Sequence, residues 1–317
     1  MSSQKTIFVL GGSGYIGSVL IKLAIESGYK VQALSRSETS DAKLSALGAT
    51  PIRGDLTTHS VLTEAASKAD IVVNLAGNIG NISQEQRFVI NNAAIDALAK
   101  GLEGTEKVFV TTHGSLIAAA DPNGEETDEN APRMKGDFFN LDFEGHALSK
   151  AEQGVRVCSI RLAPYVYGRA GSGVKMMMHM FARAGSGFYV APGSACTSTI
   201  HVDDAARLYL LAAEKAKAGD KFNATSETKV TQKQIAEAVG KTMGVEVKEQ
   251  SHEDTVAKLG PFFATFFSAA NRASNAKAKK DLAWDIRAER GILEEIESGS
   301  YFEAAQELEK EYQYLIS

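Results

Sequence analysis

The chain has 317 residues, 44% of them hydrophobic, and a formal net charge of −5. That composition suits one large α/β domain or a domain with an attached lobe, and it excludes a disordered chain. Basic residues gather into no stripe of the kind nucleic acid requires, and no apolar run reaches membrane-spanning length.

Met1–Lys5 is short and polar, with no signal-like segment ahead of the first strand. The apolar run Thr6–Leu10 reads as that strand. Gly11-Gly12-Ser13-Gly14-Tyr15-Ile16-Gly17 follows and opens an amphipathic helix over Gly14–Ser27. Strand, glycine turn and helix in this order predict a dinucleotide site: Gly11 permits the turn, Gly14 admits a pyrophosphate, and Gly17 lets the helix pack on the strand. The helix then turns its free amides towards the phosphates. A second strand, Lys30–Ser35, ends in Leu34-Ser35-Arg36-Ser37. An NAD-preferring site usually carries a carboxylate here, to accept from the ribose 2′-hydroxyl. Ser35 and Arg36 suit a 2′-phosphate instead, so the expected cofactor is NADP(H).

Further strands read as Thr50–Arg53, Ile71–Leu75, Val108–Thr112 and Val155–Leu162. Helices are expected over Asp41–Leu47, His59–Ala66, Gln84–Leu102 and roughly Phe138–Gln153. Apolar strands separated by helices predict a Rossmann-type, doubly wound parallel sheet with ligands at the strands' carboxyl ends. After Leu162 the alternation weakens. Thr231–Val239, Thr255–Lys280 and Ile292–Ile316 look helical. The expected division is a nucleotide-binding domain over 1–165, to which 199–225 returns. A smaller, mostly helical substrate lobe takes 166–198 and 226–317. Pro261–Phe267, with four phenylalanines, reads as lobe core, as the wall of a substrate pocket, or as a membrane-surface contact. Cys158 and Cys196 lack metal-ligand spacing, and the chain is expected to be reduced and cytoplasmic.

Several motifs in order resemble the extended and atypical short-chain dehydrogenase/reductases, of the epimerase/dehydratase kind. They are Gly11–Gly17, Gly54-Asp55-Leu56, Asn74-Leu75-Ala76-Gly77, Arg161–Gly168 and Thr199–Ala206. The resemblance implies that Asp55 and Leu56 contact adenine, that Leu75, Ala76 and Gly77 border the cofactor, and that Pro164 lies beside the nicotinamide. It makes His201, with Asp203 and Asp204, a link between lobes rather than a metal site, and no metal is expected.

The same family works with a Ser or Thr after strand five and a Tyr-x-x-x-Lys on the next helix. His146-Ala147-Leu148-Ser149-Lys150 offers one match, with His146 in place of Tyr. A ruler argues against it. A strand of about five residues spans about 17 Å, which a helix covers in roughly 11 residues. Only Ala151, Glu152 and Gln153 separate Lys150 from Gly154, so Lys150 falls near the bottom of that helix. Counting back a full helix puts the family Lys at Asn140 and its Tyr at Gly136, with Glu144 matching the family's following Glu. Both catalytic side chains are then missing, and Asn140 is left to hydrogen-bond a ribose hydroxyl. Thr112 matches the family Ser/Thr and would bind a substrate oxygen. His113, titrating near neutrality, is the candidate proton donor. Tyr165 is another, Lys135 and Asp137 are lesser ones, and Tyr167 is expected to pack.

The leading expectation is a reductase or dehydrogenase of a small, uncharged carbonyl or alcohol. A non-redox isomerase, lyase or cyclase is the alternative, as is an NADPH-sensing binding protein that uses Tyr301–Ile316 as a contact surface. Homo-oligomerisation stays open.

Overall fold

The computed structural model describes residues 4–77, 82–136 and 139–316, the side chains of 309 and 311–316 excepted. The first half carries β1 (Thr6–Leu10), β2 (Lys30–Ser35), β3 (Thr50–Arg53), β4 (Ile71–Asn74), β5 (Val108–Gly114) and β6 (Arg156–Leu162). The second half adds β7 (Tyr165–Tyr167), β8 (Gly187–Val190), β9 (Cys196–His201), β10 (Lys221–Ala224), β11 (Glu227–Thr231) and β12 (Val247–Gln250). One sheet takes seven of them, all parallel, in the order β10-β6-β5-β4-β1-β2-β3. The order reverses between β1 and β4, which opens a crevice at the carboxyl edge.

Between the first strands lie α1 (Tyr15–Glu26), α2 (Glu38–Ala46), α3 (His59–Lys68), α4 (Gln84–Leu102) and α5 (Phe143–Leu148). The continuous apolar strands follow from helices on both faces. In β1, Ile7 and Val9 join one buried layer while Phe8 and Leu10 join the other. The first layer is closed by α1 and α7 (Val202–Lys215), the second by α3 and α4.

A third core gathers Tyr165, Tyr167, Phe181, Val239, Phe267 and Tyr301. It lies among α6 (Ser172–Ala184), α8 (Gln232–Met243), α9 (His252–Leu259), α10 (Pro261–Ser268), α12 (Ile292–Ser298) and α13 (Ser300–Ile316), with α11 (Ala276–Leu282) packed on β10 and α7. Two small sheets, β11-β9-β7 and β12-β8, complete this part. Among the described residues no helix is long and apolar enough to cross a membrane.

Three expected helices differ. Thr255–Lys280 is broken twice: at Gly260, whose φ of +84° ends α9, and over 269–275, where Asn271 N donates to Cys196 O. Ile292–Ile316 is broken at Gly299. The helix expected from Phe138 begins only at Phe143, because the Asp142 carboxylate caps it by accepting from Gly145 N. It then tightens into a 3₁₀ turn over Ser149–Gln153 and stops at Gly154, which has a left-handed φ of +75°.

Candidate active site

Three cavities run along the carboxyl edge of the sheet. The first, of about 180 Å³, is lined by Gly11, Ser13, Gly14, Leu34, Arg36, Ser40, Asp55, Leu56, Leu75 and Ala76. Its floor is the glycine turn. Gly11 has a φ of +77°, and a Cβ on Gly17 would lie 2.3 Å from Gly11 O, so only glycine lets helix α1 start this close to β1. Asp55 Oδ1 accepts from Thr57 N and Oγ1, which holds its carboxyl below the usual range. Arg36 is exposed at the end of β2 and makes no ion pair among the described residues. This cradle fits a dinucleotide: backbone amides at a helix start, room above them, and a free cation at the rim.

Several expected cofactor residues sit differently. Ser35 is buried and its hydroxyl donates to Ser37 O at 3.2 Å, so Ser40, not Ser35, faces the cavity. The Tyr15 hydroxyl donates to Gly168 O at 2.6 Å and its ring lies against Gly171, which fastens α1 to the lobe. Gly12 packs inward on Ile21 and Ala33.

The second cavity, of about 270 Å³, shares Ala76 with the first and holds Gly77, Thr112 and His113. It also holds Asn74, Arg87, Asn91, Arg133 and Glu144, none of which the sequence analysis placed at a ligand. Arg87 and Asn91 are four residues apart on α4, hence on one helix face. Arg133 donates to Asp142 Oδ1 at 2.6 Å and to two backbone carbonyls. Glu144 is buried and receives Arg161 Nη2 at 2.6 Å, Arg161 Nε at 2.9 Å and the Ser159 hydroxyl at 2.6 Å. Burial works against that charge, but the Arg161 hydrogen bonds and charge outweigh it and hold the carboxyl below the usual range.

The third cavity, of about 430 Å³, shares His113, Gly114, Ile117 and Phe139 with the second. It is apolar, walled by Ile16, Leu116, Leu162, Pro164, Phe262 and Phe266. The phenylalanine cluster therefore divides: Phe262 and Phe266 border this cavity, while Phe267 is buried in the lobe core.

His113 stands where the second and third cavities meet. Its imidazole is held down to about 4, chiefly by burial, so it is neutral at pH 7. That corrects the expected imidazolium acid, since a neutral ring offers a hydrogen bond rather than a ready proton. Nε2 is closed off and unpartnered. The Thr112 hydroxyl donates to Asn74 O at 2.7 Å and meets the Tyr209 hydroxyl at 2.8 Å, so its one proton is already used. Tyr165 is buried in the lobe core, where its hydroxyl donates to Gln232 Oε1 at 2.8 Å and burial pushes the phenol up. It lines none of the three cavities, and neither does Asn140, which is exposed.

Lys150 lies at the opposite end of the sheet from these cavities: its carbonyl accepts from Val155 N beside the start of β6. It is buried there, against Asp96 Oδ1 on α4 at 2.6 Å, and His146 Nε2 reaches the same oxygen at 2.8 Å. The two side chains tie α5 and the 3₁₀ turn after it to α4. Lys135 is exposed, and Asp137 lies outside the described residues. His201 caps α7 by accepting from Asp203 N, and among the described residues no cluster of His, Cys, Asp or Glu could hold a metal ion.

A switch-point crevice with a glycine cradle defines a dinucleotide-binding α/β protein. The family model described as the NAD dependent epimerase/dehydratase family matches residues 7–225, and the chain belongs to that family. It is 31% identical over 304 residues to the uncharacterized protein C2A9.02 of Schizosaccharomyces pombe, covering 93% of this chain and 99% of that one. It is 28% identical over 240 residues to the sterol-4-alpha-carboxylate 3-dehydrogenase, decarboxylating, of Dictyostelium discoideum, covering 70% of this chain and 71% of the other. Among solved structures, MoeE5 in complex with UDP-glucuronic acid and NAD superposes with a TM-score of 0.73 at 19% identity, covering 95% of this chain and 99% of that one.

Proposed function

We propose that the protein is an NADP(H)-dependent reductase or dehydrogenase of a small carbonyl compound or its alcohol. The observation that carries this reading is the run of adjoining cavities from the glycine turn to His113. NADP(H) is favoured by Arg36, a cation without an ion-pair partner among the described residues, where an NAD site usually keeps a carboxylate. Arg36 and Ser40 would hold the 2′-phosphate, Gly11–Gly14 the pyrophosphate, Asp55 and Leu56 the adenine, and Ile16 and Pro164 the nicotinamide side.

When bound, the reduced cofactor supplies a hydride to a carbonyl carbon, with solvent supplying the proton to oxygen. The chain's own part is positioning and polarisation. His113, neutral at pH 7, donates an imidazole N–H to the carbonyl oxygen and strengthens that bond as charge develops there. The Glu144–Arg161 pair, tied to Ser159, fixes the wall behind it. The apolar third cavity excludes water and takes the body of the substrate. No Tyr–Lys pair takes part, because Lys150 is committed to Asp96. We place the protein in the cytoplasm, in line with its two free cysteines.

The test follows deuterium from 4-deuterated NADPH, with separate 4R and 4S labels, across a panel of carbonyl compounds. Stereospecific transfer to product supports the reading. Turnover with no net change in NADPH absorbance contradicts it and favours an isomerase, the second reading, which the epimerase/dehydratase family match supports.

A further inference from the structure

Three residues that line the second cavity each carry a buried polar atom with no hydrogen-bond partner among the described residues. Arg87 Nε and Asn91 Oδ1 lie on one face of α4, and His113 Nε2 at the end of β5. An unmade buried hydrogen bond costs about 1–3 kcal/mol, and of the three atoms Arg87 Nε is the fixed donor that an anion satisfies, whereas Asn91 Oδ1 is an acceptor. The other charges of this wall cancel in pairs, Arg133 against Asp142 and Glu144 against Arg161. Arg87 has neither an ion pair nor a side-chain hydrogen bond among the described residues. Among the described residues, one positive charge of this partly apolar wall is thus left without an ion pair. The adjoining cavity is the reverse: apolar, lined by no Asp, Glu, Lys or Arg among the described residues, and joined to the second cavity at His113.

We propose that the substrate is an oxo acid or hydroxy acid with an apolar chain. Its carboxylate pairs with the forked guanidinium of Arg87. Its chain occupies the space between Leu116, Leu162 and Phe266. The carbon to be reduced or oxidised then lies between the two groups, at His113. A single guanidinium matches a single carboxylate, whereas a diphosphate would need more cations than this wall offers. The proposal replaces the small, uncharged substrate expected from the sequence, and it rests on the oxidoreductase reading only for what happens at His113.

Its test is calorimetric binding of two probes, octanoate and octanamide, to the full chain with and without saturating NADPH. The wild type should bind octanoate at least about tenfold more tightly than octanamide, the size of one charge-assisted contact. Arg87→Gln should bring the two within about twofold, and Arg87→Lys should retain part of the preference. Octanamide and NADPH binding should be unchanged in both variants, which also shows that they fold. Equal affinity of the wild type for the two probes, binding of neither, or a preference that survives Arg87→Gln overturns the proposal. So does a variant that loses NADPH affinity while keeping the octanoate preference, since Arg87 then serves the cofactor. If the wild type fails to bind NADPH, the cofactor reading falls, and the probe preference on the protein alone still decides this proposal.

Discussion

The two ends of the crevice are built in different ways. At the end where we place the adenosine, most lining residues come from the β1–α1 turn and the ends of β2, β3 and β4. At the end where we place the substrate carbonyl they come from α4, β5, the segment ahead of α5, the residues after β6 and helix α10. The first end is a local device. The second exists only once distant segments have packed, and its chemistry depends on what each pairs with.

That difference decides what could be read in advance. The alternation of apolar strands and amphipathic helices was legible because both faces of the sheet are covered. The glycine turn was legible because its spacing is fixed by one short approach, that of Gly17 on Gly11. Arg87 and Asn91 looked like ordinary polar residues of a surface helix, and only the fold turns that face towards β5. Their spacing of four and their position in the first half of a helix that follows a cofactor strand were the available signals. Tyr165 was misplaced for the same reason: its partner Gln232 is 67 residues away. None of the strands β7 to β12 was read in advance: all are six residues or shorter, and β8 and β12, four residues each, pair with one another. Gly260-Pro261 did carry a break signal, which the apolar phenylalanine run obscured.

The comparison can be broken most forcefully at the wall of the carbonyl end. Glu144→Ala leaves the buried Arg161 guanidinium without its carboxylate, and urea unfolding should show a loss of about 3–5 kcal/mol. A loss below about 1 kcal/mol would mean that the wall does not depend on this pair. At the adenosine end the expected effect is on affinity and not on fold. Arg36→Glu should weaken NADPH about 10–100-fold by fluorescence titration while changing NADH binding little. Equal weakening of both would remove the case for NADP.

A smaller effect separates the ends by pH. The His113 imidazole lies near 4 in the folded chain, against about 6.5 unfolded. Between those values the unfolded chain binds the extra proton, so stability falls as pH drops from about 6.5 towards 4. Wild type should lose about 2 kcal/mol more than His113→Phe between pH 7 and pH 5, read from paired denaturation curves. Parallel curves would show that this imidazole is not held neutral.

The most direct measurement is the single-turnover rate of hydride transfer from NADPH, on whichever carbonyl compound the panel finds turned over, in His113→Phe and Lys150→Met. A site centred on His113 predicts a loss of about 10²–10³-fold in the first, the usual size for one donor to a developing oxyanion, and a change within about twofold in the second. A large loss in Lys150→Met with His113→Phe near wild type would place the chemistry beside Lys150 and contradict the account.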